Sequence, residues 1–153
     1  MCIISKQTIS GIPAIFLYPK KMNKKCTIVW IFHKLLQSKI NELPLAYRLA
    51  MEGNFVDLLD MRGHGERKSD EDGYNFDKLI CDINYTAKDI SVVLEYIKRY
   101  FPMLDYREMA AIGVSIGASV ALVSSYLLDD ITKVISLVGA INWEYLVENN
   151  SFY

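Results

Sequence analysis

Apolar residues fall along this chain in two kinds of pattern. Short, mostly apolar runs occupy residues 26–32, 54–59, 109–114 and 134–138, rich in Ile, Val, Leu and Phe. A short apolar run without polar alternation predicts a strand covered on both faces, as in a parallel sheet between helical layers. The second pattern has a spacing of three and four. Leu79, Ile80, Ile83, Ala87, Ile90, Val93, Leu94 and Ile97 form one stripe over residues 76–100, with Asp77, Asp82, Lys88, Glu95 and Lys98 on the outer side. Pro102 stops that helix. A shorter helix over residues 42–51 has Pro44 in its first turn, Leu45, Ala46 and Leu49 on its buried face, and Gly53 as its stop. Ahead of these, Ile9, Ile12, Ala14, Phe16 and Tyr18 surround a Gly11-Ile12-Pro13 break, which predicts two short strands at a sheet margin.

The order is a strand pair, then strand and helix in alternation. Right-handed crossovers turn that order into an α/β domain, an open and mostly parallel sheet with helices on both faces. Such sheets gather their active groups beyond the carboxyl ends of the strands. His33, Asp60 with His64, Ser115 and residues 142–145 all fall there. No repeat, low-complexity segment or linker divides residues 1–153, so one domain is expected.

Composition narrows the function classes. The 153 residues are 52% hydrophobic, enough for one substantial core. A formal charge of −1 leaves no basic excess for nucleic acid. The dense cationic patch, Lys20, Lys21, Lys24 and Lys25, sits between two strand-like runs and reads as a solvated hairpin loop rather than a binding site. Cys2, Cys26 and Cys81 are far apart and form no Cys-x-x-Cys pair, so no disulfide framework is expected. The N-terminus lacks a signal-peptide pattern and no apolar run reaches bilayer length. A cytoplasmic protein without membrane contact is the expectation. A nucleotide-binding α/β domain is a weak reading, since there is no Gly-x-Gly-x-x-Gly after the first buried strand and no P-loop Lys-Ser or Lys-Thr. No cofactor and no metal are expected.

The chemistry centres on residues 109–123. A strand turns sharply between Gly113 and Gly117 and continues as a helix, with Ser115 at the apex. The spacing Gly-x-Ser-x-Gly in a strand–turn–helix context is that of a nucleophile elbow. A strand reversing at once into a helix has no room for a Cβ two residues either side of the serine, and the serine itself is strained. The helix start then offers N–H groups to a developing negative charge.

These residues resemble the first half of an α/β-hydrolase of the small esterase, monoacylglycerol-lipase and serine-aminopeptidase type. The strand ending Ile31-Phe32-His33 is similar to the family strand that ends in His-Gly. Asp60-Met61-Arg62-Gly63-His64-Gly65 is similar to the family's Asp-x-Arg-Gly-His-Gly, and Gly113 to Gly117 to its elbow. The resemblance implies that Ser115 is the nucleophile toward an ester, thioester or amide carbonyl. It implies the N–H groups of Ile116 and Leu35 as oxyanion donors. His33, Arg62 and His64 are then loop-bracing residues, and the general base arrives later in the chain.

The chain departs from the family in two places. Lys34 stands where the family has glycine, so either its Cβ tilts the Leu35 N–H away or the loop takes an ordinary backbone conformation. The larger departure is that both histidines precede Ser115, whereas the triad order of this fold is serine, acid, histidine. Glu144, just after the last strand, is placed to stand in as the acid, as in family members that use that strand, but a surface role at the start of a short helix suits it better. The 134–138 strand would also end the sheet with an unprotected apolar edge, which predicts a further strand, a second copy or a partner chain against it. The expectation is a domain incomplete at its C-terminus: a serine hydrolase of small esters or short peptides whose acid and histidine lie outside the chain. The alternative is an inactive module that binds through that edge.

Overall fold

The computed structural model describes residues 1–22, 26–68 and 76–139. It contains a six-stranded sheet in the order β1-β2-β4-β3-β5-β6. The strands are β1 (Cys2–Ile9), β2 (Ile12–Pro19), β3 (Ile28–Phe32), β4 (Phe55–Leu59), β5 (Met109–Val114) and β6 (Ile131–Leu137). β1 and β2 form the expected marginal hairpin, turning through Ser10 at φ 49 and Gly11 at φ 81. Two consecutive positive φ values suit the right-handed twist of the strands they join. β2 pairs antiparallel with β4, and β4, β3, β5 and β6 are parallel neighbours.

The apolar run of β3 has a direct physical origin. Ile28, Trp30 and Phe32 enter one core cluster, and Val29 and Ile31 enter the other on the opposite face. Three helices supply the layers: α1 (Leu43–Met51), α2 (Phe76–Tyr100) and α3 (Ile116–Leu127). Ala46 and Ala50 of α1 pack on the Val29 face, whereas α2 and α3 pack on the Trp30 face. Gly53, at φ +99, ends α1 as the sequence predicts.

Four expectations change. β6 is not a buried strand: Ile135 is 50% exposed, Leu137 44% and the following Val138 89%. α1 lies over β2 and β4, toward the opposite edge, so among the described residues no helix covers the β6 residues on its face. Ile80 leaves the α2 stripe and is exposed, while the polar residues Thr86 and Asp89 join it. In α1 the fully buried positions are Ala46 and Ala50, with Leu45 and Leu49 only partly covered. The lysine loop is no hairpin connection: β4 lies between β2 and β3, and β2 pairs with β1 and β4. The lysine loop is described except for residues 23–25, the polar loop after His64 only as far as Lys68, and residues 141–145 with Glu144 lie outside the described residues. Among the described residues no helix is long and apolar enough to cross a membrane.

Candidate active site

β5 delivers the chain to Ser115, and α3 leaves from it without an intervening loop. Ser115 has φ 55 and ψ −119, a conformation that costs an L-residue of order 1–3 kcal/mol and persists only where its surroundings dictate it. Its N–H donates to the Leu137 carbonyl at 2.8 Å, and its own carbonyl accepts the Ala118 N–H at 3.0 Å. The flanking glycines follow from sterics. A Cβ on Gly113 would fall 2.1 Å from the Gly117 carbonyl oxygen, and one on Gly117 would fall 2.3 Å from that of Phe32. Backbone on backbone cannot give way, so the Gly-x-Ser-x-Gly spacing is what lets the turn close. As the first residue of α3, Ile116 has an N–H with no carbonyl partner inside the helix.

The loop after β3 begins against this turn. Phe32 is in register with Gly113, and the His33 carbonyl lies 2.6 Å from the site a Gly117 Cβ would fill. His33 is fully buried; its Nδ1–H donates to the Lys34 carbonyl at 2.8 Å and its Nε2 accepts the Met61 N–H at 3.1 Å. Burial pushes its pKa from 6.5 down to about 4. A ring with both nitrogens occupied and so little basicity braces a loop and has no free nitrogen to take a proton from Ser115. Lys34 takes the second of the two routes open to it: it is exposed, and its φ is not positive. The positive φ of this loop falls instead on exposed Leu36, at 59, and Leu35 rests partly buried on the core.

The loop after β4 is built on ion pairs. Asp60 is fully buried, and its carboxylate accepts the Lys39 N–H at 2.8 Å, Lys39 Nζ at 2.6 Å and the Glu66 N–H at 3.0 Å. Gly65 makes room for it, since a Cβ there would fall 2.3 Å from the Asp60 carboxyl carbon. A Cβ on Gly63, at φ +70, would fall 2.7 Å from Asp82 Oδ2. Arg62 grips Asp89 of α2 through Nε at 3.1 Å and a terminal nitrogen at 2.9 Å, and lies 5.0 Å over the Tyr85 ring. Arg67 reaches the same carboxylate at 2.8 Å. His64 is buried, with Nδ1 2.8 Å from the Arg62 carbonyl and its ring 5.4 Å from that of His33. A crevice between this loop, α2 and the turn is lined by Met61, Arg62, His64, Leu79, Ile83 and Ile116, among others.

The structure therefore gathers His33, Asp60, His64 and Ser115 at the carboxyl ends of β3, β4 and β5. Sequence reading missed Lys39, Glu66, Thr86 and Asp89. Thr86 and Asp89 had a visible signal, because polar residues three apart interrupt the apolar face of α2. Lys39 had none, since a lone lysine in a polar loop is ordinary.

The site and the sheet order together define a class of fold, that of the α/β-hydrolases. Neither a protein-family model nor a curated protein sequence matches the chain. Solved structures do. A dienelactone-hydrolase-like protein of Klebsiella pneumoniae superposes with a TM-score of 0.73 at 16% identity, over 93% of this chain and 62% of that one. The esterase Pf2001 of Pyrococcus furiosus gives 0.68 at 18% identity, over 100% of this chain and 56% of the esterase. TT1662 of Thermus thermophilus gives 0.69 at 20%, over 92% and 58%. The chain thus spans less than two thirds of the length of these structures.

Proposed function

We propose that this chain carries the nucleophile of a serine hydrolase acting on carboxylic esters or short peptide amides through an acyl-enzyme on Ser115. The observation that carries the reading is the Ser115 backbone, held at φ 55 and ψ −119 between two glycines whose Cβ positions are filled by other backbone atoms. That arrangement presents Oγ at the carboxyl edge of the sheet, beside the first N–H groups of a helix. Attack by Oγ on a carbonyl carbon would place the oxyanion near the Ile116 N–H, with the Leu35 N–H as second donor. Each such donor contributes on the order of 3 kcal/mol in a dry site. The Oγ proton must pass to a base, and His33 has both ring nitrogens bonded and its pKa lowered to about 4. His64 belongs to the bracing of the Arg62 loop. The acid and the histidine therefore come from polypeptide beyond the described residues, as the greater length of the similar structures allows.

A second reading rests on the exposed apolar side chains Ile135, Leu137 and Val138. It is a non-catalytic module that pairs through β6 with itself or another chain. Both are tested on protein isolated from its natural source. Hydrolysis of p-nitrophenyl acetate or an aminoacyl p-nitroanilide that vanishes in Ser115→Ala supports the enzyme. A folded protein whose turnover is unaffected by Ser115→Ala contradicts it. Concentration-dependent association abolished by Leu137→Lys, with no turnover, favours the module.

A further inference from the structure

The loop over residues 33–39 is fastened at both ends to two consecutive residues of another loop. At its entrance the Met61 N–H donates to His33 Nε2 at 3.1 Å. At its exit the Asp60 carboxylate takes both the Lys39 N–H, at 2.8 Å, and Lys39 Nζ, at 2.6 Å. Lys39 is only 1% exposed, a rare setting for a lysine, and Glu66 Oε1 also stands 2.6 Å from its ammonium. An ammonium paired with two carboxylates offers no lone pair to a substrate and is neither nucleophile nor base. What remains for it is mechanical. Asp60 is itself held on its other side, because the Glu66 N–H donates to its carboxylate and Gly65 packs directly against it. Between the two fastenings lie exposed Lys34, partly buried Leu35 and Leu36 at φ 59.

We propose that Lys39 is a positioning residue for this loop: its two bonds to Asp60 at the exit, set against the Met61–His33 bond at the entrance, fix where the Leu35 N–H stands relative to Ser115. The proposal rests on the serine-hydrolase reading above and adds to it a residue that never touches substrate. Without the ammonium the exit is tied to Asp60 by the residue 39 N–H alone. The ammonium adds the second bond, from side chain to carboxylate.

Two variants test this. Lys39→Met removes the ammonium and keeps much of the side-chain volume. The double variant Lys39→Met, Asp60→Asn also removes the buried charge left behind; its amide keeps an oxygen for the residue 39 N–H but no acceptor for the Glu66 N–H, so it is read against Asp60→Asn alone. Amide hydrogen exchange at residues 34–38 should quicken at least tenfold in the double variant, while β3 and α3 keep their protection. In protein from the natural source, the inactivation rate constant for a fluorophosphonate should fall at least tenfold with its reversible affinity unchanged. Unchanged exchange at residues 34–38, or exchange that quickens equally across the whole chain, overturns the proposal. Quickened exchange with an unchanged inactivation rate overturns the positioning role while leaving the nucleophile in place. Absence of labelling in the unaltered protein overturns the serine-hydrolase reading itself.

Discussion

Replacing Asp57 by asparagine removes a titrating group from the middle of the sheet with almost no change of size. Asp57 lies in β4, in register with Phe16 of β2 and Trp30 of β3, and is 0% exposed. Among the described residues neither carboxyl oxygen has a hydrogen-bond partner, and nor does Nε1 of Trp30. Burial pushes the carboxyl well above its ordinary value of 3.8, so the folded chain keeps a proton that the unfolded chain has released. Asp57 therefore favours folding most at acid pH, and its contribution falls by about 1.4 kcal/mol per pH unit as pH rises toward the raised value. His33 has the opposite sign. Its pKa is lowered to about 4, so the unfolded chain binds a proton that the folded chain refuses between there and 6.5. Stability is lost as pH falls through that window, by up to about 3 kcal/mol in total. In the natural sequence the two slopes oppose each other; in Asp57→Asn the His33 slope stands uncovered. Urea unfolding followed by tryptophan fluorescence at pH 4.5, 5.0, 5.5 and 6.0 reads the difference. The variant should lose stability relative to the natural chain by roughly 1 kcal/mol for each unit of acidification. Asp57→Val should go further at pH 7. It removes an unsatisfied buried carboxyl, about 1–3 kcal/mol, and adds apolar burial, for a net gain of about 2–4 kcal/mol. That is a rise in melting temperature of roughly 6–12 °C for a chain of this length. A pH-independent difference between Asp57→Asn and the natural chain, or destabilisation by Asp57→Val, would refute the reasoning.

Other substitutions probe the turn and its supports. Gly117→Ala places a Cβ against the Phe32 carbonyl and should cost roughly 3 kcal/mol or abolish folding, as read by circular dichroism and urea titration. Ser115→Gly should raise stability by about 1 kcal/mol, because glycine adopts φ 55 without strain; an equal loss would show that the serine conformation is unstrained. Asp89→Asn keeps the shape that Arg62 and Arg67 grip but removes the charge, and since Arg62 is 41% exposed the cost should be about 1–3 kcal/mol, smaller in high salt.

The α/β order was legible because each buried strand faces two layers. β3 reads as an unbroken apolar run for the simple reason that Ile28, Trp30 and Phe32 meet one layer and Val29 and Ile31 the other. The long helix was legible from its stripe, and the Ser115 turn from glycines whose Cβ space is already taken. β6 misled in the opposite direction. An apolar run reports that a strand can be covered on both faces, and says nothing of whether a layer is there to cover it. Lys39 and Asp60 were illegible as a pair because they meet only through tertiary structure, 21 residues apart. Asp57 contradicts the pattern outright, a carboxyl among Phe16 and Trp30 that no sequence rule places in a core.

The role of Ser115 is tested most directly by a fluorophosphonate on protein taken from its natural source, with the modified residue located by peptide mass mapping. The serine-hydrolase reading predicts one adduct per chain, on Ser115, formed only while the protein is folded. No adduct on the folded protein, or an adduct on another residue, would contradict it.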